Sequence, residues 1–318
     1  MKFVFIIDPI AQLDPTHDSS VAMMESAQIL GHEVYITSIN ELSVVNGKAY
    51  AHLQSINLKP VELVNNHWQV EKNWYYLGES AFSPLESYDV VLMRKDPPVN
   101  TPYLYATYIL DLIDPEKTKV INSPQGIRAA NEKMYALQFS SVIPSTIVTQ
   151  SKSVIADFLA EKEAIILKPL GGKAGEGILF LQQGDRNFNS LIEISTKQGQ
   201  EPIMVQEYLP SAKEGDKRII LLNGKPIGAV NRIPTGKEFR GNMAVGGRVA
   251  QTQITERELT ICEAVAPRLI KDGLFFVGID VIGGYLTEVN VTSPTGIREI
   301  DRLNDVKLGE EVINALLT

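Results

Sequence analysis

Cysteine is almost missing from this chain: Cys262 stands alone among 318 residues. A lone cysteine excludes an intramolecular disulfide and any Cys-based zinc site, and it fits a reducing compartment, so cytoplasm is the expected location. Histidine is scarce too, and His17, His32, His52 and His67 all lie in the N-terminal quarter. His32-Glu33 lacks the second histidine of a zincin helix and Gly-x-Ser-x-Gly is absent, which sets histidine-based hydrolysis aside. No Gly-x-Gly-x-x-Gly follows the first apolar run and no Gly-x-x-x-x-Gly-Lys-Ser/Thr occurs, so neither a Rossmann dinucleotide site nor a P-loop is supported. No stretch approaches the ~18 apolar residues of a membrane span. The apolar opening Met1 to Ile7 stops at Asp8-Pro9, short of a signal-peptide core. Basic residues number 30 against 38 acidic, a net charge of −8. That balance argues against nucleic acid or an anionic membrane as the main partner, and an anionic substrate would need a locally basic pocket.

What is present is a chain with 44% hydrophobic residues, long enough for two or three compact units. Phe3 to Ile7, the run Ser20 to Leu30 closed by Gly31, and Glu33 to Thr37 alternate as strand, helix and strand, the pattern of a parallel α/β unit. Tyr88 to Met93 and Lys119 to Ile121 read as further buried strands around a helix from Tyr103 to Ile113. Ser123-Pro124 is an N-cap and first-turn pair, and Glu132 to Phe139 reads as continuing helix. A small α+β region follows, with strands Thr146 to Val148, Ala164 to Lys168, Ile178 to Gln182 and Ile203 to Gln206. From Lys217 come hairpins turning at Asn223-Gly224 and near Gly283-Gly284, separated by a helix from Glu256 to Lys271. The expected units are residues 1–122, 123–210 and 211–318.

Three constellations can carry chemistry. Lys168 ends a strand and runs into Gly171-Gly172-Lys173-Ala174-Gly175-Glu176-Gly177, whose backbone N–H groups suit phosphate oxygens while the lysine supplies a point charge. In Asp280 to Asn290, alternate positions put Glu288 and Asn290 on one face. A two-residue turn at Gly283-Gly284 would pair Asp280 with Thr287, whereas a longer loop or a bulge sets Asp280 opposite Glu288; we predict the latter, as a site of oxygen ligands for Mg²⁺. Ile233 to Val249, with Arg240 and Arg248, has the length and glycine content of a lid that brings positive charge to a phosphoryl group or carboxylate. Gln206-Glu207-Tyr208-Leu209 ends a strand at an inter-lobe connection where main-chain groups can meet a purine edge. Lys133, Arg94 and Arg218 are further basic candidates.

Taken together these segments resemble the ATP-grasp superfamily and most closely the bacterial-type glutathione synthetase family. The resemblance runs nearly end to end: Asp8-Pro9-Ile10, Asp18-Ser19-Ser20, Met93 to Pro98, Tyr105 to Leu110, Asn131-Glu132-Lys133, Ile166 to Leu170, Gly215 to Arg218, Arg240-Gly241-Asn242, Gly246-Gly247-Arg248 and Glu288 to Thr295. It implies an N-terminal parallel α/β domain followed by a two-lobed ATP-grasp fold, α/β and α+β in class. It implies that ATP, γ-L-glutamyl-L-cysteine and glycine become glutathione, ADP and phosphate through an acyl phosphate.

On this resemblance Lys133 and Lys168 hold phosphates with the Gly172 to Gly175 loop, the strand end from Gln206 to Leu209 receives adenine, and Asp216 lies near the ribose. Asp280, Glu288 and Asn290 bind Mg²⁺, with Mn²⁺ as a substitute. Arg94, Arg218, Arg240 and Arg248, with Asn290 and Ser293, hold the peptide carboxylates and the transferring phosphoryl group, and Arg218, Arg240 and Arg248 take the catalytic part. A homotetramer is implied as well. Three positions depart from the family pattern: Gly172-Lys173-Ala174-Gly175 replaces Gly-Met-Gly-Gly, Glu207 replaces an asparagine, and Gly296 stands where a cysteine can occur. Alternatives from the same residues are another ATP-grasp ligase, such as one joining D-alanines, or an ATP-binding regulatory protein without turnover.

Overall fold

The computed structural model describes residues 1–171, 175–235 and 247–317. Strand β1 (Lys2–Ile6) is followed by α1 (Ser19–Ile29), β2 (Glu33–Thr37), β3 (Leu42–Val45) and β4 (Lys48–Leu58). A small hairpin, β5 (Glu62–Val64) and β6 (His67–Gln69), precedes β7 (Tyr75–Pro84), β8 (Val90–Met93), α2 (Thr101–Leu110), β9 (Lys119–Ile121) and α3 (Pro124–Ala129). The first sheet runs β3-β4-β2-β1-β8-β9, with β7 added on β4. Its β2-β1-β8-β9 portion is parallel. Phe3 to Ile6 are wholly buried because helices and the neighbouring sheet cover both faces, as a parallel sheet requires. Asp18 starts α1 by accepting from the Ser20 and Val21 N–H groups at 2.7 and 2.9 Å.

The second sheet is antiparallel, in the order β10-β13-β11-β12. It comprises β10 (Thr146–Thr149), α4 (Lys152–Lys162), β11 (Ala164–Pro169), β12 (Leu179–Gln182), α5 (Phe188–Ser195) and β13 (Ile203–Glu207). The third takes β14 (Asp216–Leu222), β15 (Lys225–Ile233), β16 (Arg248–Gln251), α6 (Glu256–Lys271), β17 (Phe276–Ile282) and β18 (Tyr285–Asn290), ordered β16-β15-β14-β17-β18. Helices α7 (Ile297–Asn304) and α8 (Leu308–Leu316) close the described chain, and both pack on α1. Thr255 and Glu258 form a capping box that fixes the start of α6. Among the described residues no helix is long and apolar enough to cross a membrane.

Two features differ from the sequence expectation. The antiparallel strands between residues 42 and 84 were not foreseen, because β4 alternates small residues (Ala49, Ala51) with polar ones and the middle of β7 is exposed. Residues 132–139 do not continue α3: that helix stops at Ala129, and Met134 to Phe139 form a 3-10 turn. The turn begins where the Asn131 side chain accepts from the Lys133 and Met134 N–H groups, a local bond that competes with α-helix.

Candidate active site

Ion pairs laid across the third sheet begin with strand register. Asp216 on β14 lies opposite Arg232 on β15, Arg218 lies opposite Asp280 on β17, and Asp280 lies opposite Glu288 on β18. Gly283 and Gly284 form a two-residue turn with φ of 56° and 78°, as Asn223 and Gly224 do in the other hairpin. A bulge beyond the Gly283-Gly284 turn adds Thr287 to β18 and sets Glu288 against Asp280, the register expected from the sequence. The Thr287 hydroxyl donates to the Asp280 carbonyl at 3.1 Å.

The resulting network is buried. Arg218 Nε and Nη2 reach the two Asp280 carboxylate oxygens at 2.5 and 3.0 Å. Arg232 Nη2 bridges Asp216 and Asp280 at 2.6 and 3.0 Å. Asn290 Nδ2 donates to Asp280 Oδ2 at 3.3 Å and to the Gly278 carbonyl at 3.2 Å. Burial works against charge on Asp280, but the two guanidiniums outweigh it and hold the carboxyl well below the usual range. Burial pushes Asp216 the other way, upward, and its Oδ1 has no partner among the described residues. Gly278 is what lets Arg218 lie flat on β17, since a Cβ there would meet Arg218 Cδ at 3.0 Å and Pro294 Cβ at 2.8 Å.

Two lysines face this row. Lys133 Nζ stands 3.1 Å from Glu288 Oε1. Lys168, at the end of β11, donates to Gln206 Oε1 at 2.7 Å. Burial lowers its pKa, and Glu288, Asp216 and Asp280 oppose that. Beyond Gln206, the N–H groups of Glu207 and Tyr208 are spent on Ser145 and Ala164. Among the described residues no backbone bond uses the Leu209 N–H, and the Tyr208 ring meets Phe180 edge-on at 4.9 Å.

A cleft of 320 Å³ opens in front of the row, lined by Arg218, Arg232, Glu288, Asn290 and Ser293 on one side and by the segment from Gln12 to Asp18 with Asp96 and Pro97 on the other. Arg94 is set apart from this cleft. Its guanidinium is buried, donates to Ser20 Oγ and the Pro294 carbonyl, and stacks over Phe276 at 5.3 Å. Arg248 opens β16 opposite Ile233 and is exposed. Gly172 and Arg240 lie outside the described residues, as do most of the predicted lid and phosphate loop; Gly175, at φ 80°, is described.

Arg232 and Glu132 were not singled out for roles from the sequence. Arg232 could have been found as the one charge in line with Gly228 and Val230 on the buried face of β15. Glu132 accepts from the Val291 and Thr292 N–H groups and the Thr292 hydroxyl, and burial, then Glu288, raise its pKa. At Gly296 φ is 137°, which glycine adopts at no steric cost and a cysteine would not.

A three-sheet chain whose third sheet carries a row of acids and arginines, with Lys133 paired to Glu288 and Lys168 at the end of β11, has the make-up of the ATP-grasp class. Solved structures agree in fold: D-cycloserine synthetase DcsG has a TM-score of 0.67 at 13% identity, covering 99% of this chain and 98% of its own. The ATP-grasp ligase PsnB has 0.62 at 16%, covering 99% and 97%.

Family models are more specific. "Prokaryotic glutathione synthetase, N-terminal domain" matches residues 1–128 and "Prokaryotic glutathione synthetase, ATP-grasp domain" matches residues 132–305. The glutathione synthetase of Synechococcus elongatus is 66% identical over 316 residues, 99% of this chain and 98% of the relative. That of Gloeobacter violaceus is 47% identical over 322 aligned positions, 100% and 97%. The chain belongs to the prokaryotic glutathione synthetase family, a family of ATP-dependent ligases with ATP as co-substrate.

Proposed function

We propose that this protein joins γ-L-glutamyl-L-cysteine to glycine, with ATP converted to ADP and phosphate. The observation that carries the reading is the row of Arg232, Asp216, Arg218, Asp280 and Glu288 on the third sheet, with Arg218, Arg232 and Glu288 lining the cleft and Lys133 paired to Glu288. A carboxylate is a poor electrophile, so amide formation needs it activated. The cysteine-end carboxylate of γ-glutamylcysteine attacks the γ-phosphorus, the P–O bond to ADP breaks, and glycine's amine then displaces phosphate from the acyl phosphate. Lys133, Lys168 and Arg218 offset charge on the transferring group. Adenine takes the Leu209 N–H, and Asp216 Oδ1 accepts from the ribose.

Asp280, Glu288 and Asn290 supply hard oxygen donors on neighbouring strands, a set that fits Mg²⁺. Among the described residues no group of three or more His, Cys, Asp or Glu could hold a metal by itself, which suits an ion usually bound through one or two carboxylates. Bound there, Mg²⁺, or Mn²⁺ in its place, would supply positive charge that offsets the charge of the phosphates. Arg248, Ser293 and Asn290 hold peptide carboxylates, whereas the geometry of Arg94 supports a bracing part between the first sheet and the Pro294 loop. Units 1–122, 123–210 and 211–318 would carry, in turn, the peptide wall, the nucleotide and the metal. Family resemblance supports a cytoplasmic homotetramer.

The test is phosphate release from Mg·ATP by the purified protein with γ-glutamylcysteine, glycine, both, or D-alanine alone. Release that needs both and equals glutathione formed is expected. Release driven by D-alanine would contradict the reading.

A further inference from the structure

A titrating pair on the cleft wall has no part in the chemistry above. His17 lies in the turn that leads into α1, its side chain 37% exposed, and it lines the same cavity as Arg218, Asn290 and Ser293. His17 Nδ1 is 2.5 Å from Glu299 Oε1. Glu299, on α7, is buried, and its second oxygen has no partner among the described residues. An ionised carboxylate only accepts, so the Glu299 bond puts the proton on Nδ1 and leaves Nε2 as the lone-pair nitrogen of the neutral ring. A base with a buried orienter behind it is the arrangement that proton-transfer sites use.

The reaction needs such a group. Glycine arrives as an ammonium, which cannot attack carbon until it loses a proton. The charged groups around His17 are Glu299 from α7 and Asp14 and Asp18 from its own segment, and the same cavity is lined by Asp96, Glu132, Arg218, Arg232 and Glu288. Burial lowers the imidazole pKa, but Glu299, Asp18 and Asp14 together outweigh it and raise it above its ordinary value. A base so poised favours proton uptake near neutral pH.

Resting on the ligase reading, we propose that His17, oriented by Glu299, is the base that takes the proton from the incoming amine. An ammonium N–H bond breaks and its proton passes to His17 Nε2. The freed lone pair forms the C–N bond, and the C–O bond to phosphate breaks with its electrons on oxygen. The second amine proton leaves with the phosphate as hydrogenphosphate, and His17 returns its proton to water. Glu299 is a positioning residue in this scheme.

The test compares glycine with hydroxylamine, an acceptor already unprotonated at neutral pH, in the full-length protein with saturating Mg·ATP and γ-glutamylcysteine. His17→Gln keeps a donor for Glu299. It should lower kcat/KM for glycine about 100-fold near neutral pH and move the acid limb of its pH profile up toward the alkaline titration of glycine's own amine, while hydroxamate formation stays within about threefold of wild type. Glu299→Gln should keep the acid limb but move it to lower pH. Equal losses with both amines, or an acid limb left at its wild-type position in His17→Gln, would overturn the assignment. Absence of glutathione when the unaltered protein is given γ-glutamylcysteine, glycine and Mg·ATP would overturn the ligase reading itself.

Discussion

Asp280 concentrates the electrostatics of the site in one residue. It accepts from Arg218, Arg232 and Asn290 while nearly fully buried. Replacing it with asparagine leaves two buried guanidiniums without their shared counter-charge, a loss of about 3–5 kcal/mol by analogy with broken buried pairs. Asp280→Asn should therefore lower the denaturant midpoint strongly at neutral pH, and an unchanged midpoint would show that the network adds no stability. The pH dependence has a fixed sign. Because the folded pKa is depressed, the stabilisation is complete above the unfolded value of ~3.9 and fades as pH falls through the folded one; the variant lacks that dependence. Lys168 was legible because a strand end runs into a glycine-rich loop, and Asp280, Glu288 and Asn290 because alternation within one hairpin groups them, while Lys133 and Asp216 took their roles from the family resemblance. Arg232 was not assigned a part, since alternation marks it as a charge on a buried face but does not name Asp216 and Asp280 as its partners.

Elements convert sequence spacing into a site through the β17–β18 hairpin. Side chains alternate faces, so a one-residue slip would carry Glu288 and Asn290 away from Asp280. The Thr287 bulge prevents this. Deleting Thr287 should abolish Mg·ATP binding measured by calorimetry, while Thr287→Ser, which keeps the hydroxyl on the Asp280 carbonyl, should bind as wild type. Binding that survives the deletion would detach the metal reading from this register. The register was legible because two acids and an amide in an apolar hairpin make sense only on one face. The device was left open between a longer loop and a bulge, and the chain uses a two-residue turn with a bulge at Thr287.

For the whole molecule, the distribution of core residues matters more than the number of sheets. Two hydrophobic clusters run through the first and third sheets together, joining Val4 and Ile6 to Ile219 and Val277 in one and Phe3 and Phe5 to Ile220 and Phe276 in the other. Asn122 fastens the same seam, donating to the Phe276 and Val291 carbonyls and accepting from the Phe276 N–H. The second sheet has a core of its own, built on Ile155, Leu167 and Val205. Local opening follows such units, so amide exchange should be faster across β10 to β13 than across β1 and β17, and Mg·ATP should slow the former preferentially. Equal exchange in all three sheets would contradict that division. The sequence pattern separates all three units alike, because hydrophobic periodicity shows that a face is buried but not against what.

The central claim is that the γ-glutamylcysteine carboxylate is activated by taking the γ-phosphoryl group. The direct measurement is the fate of ¹⁸O placed in that carboxylate, followed by mass spectrometry of the released phosphate. Passage through an acyl phosphate carries one labelled oxygen into each phosphate formed with glutathione. Phosphate free of label would show that ATP is hydrolysed without activating the peptide, and would contradict the account.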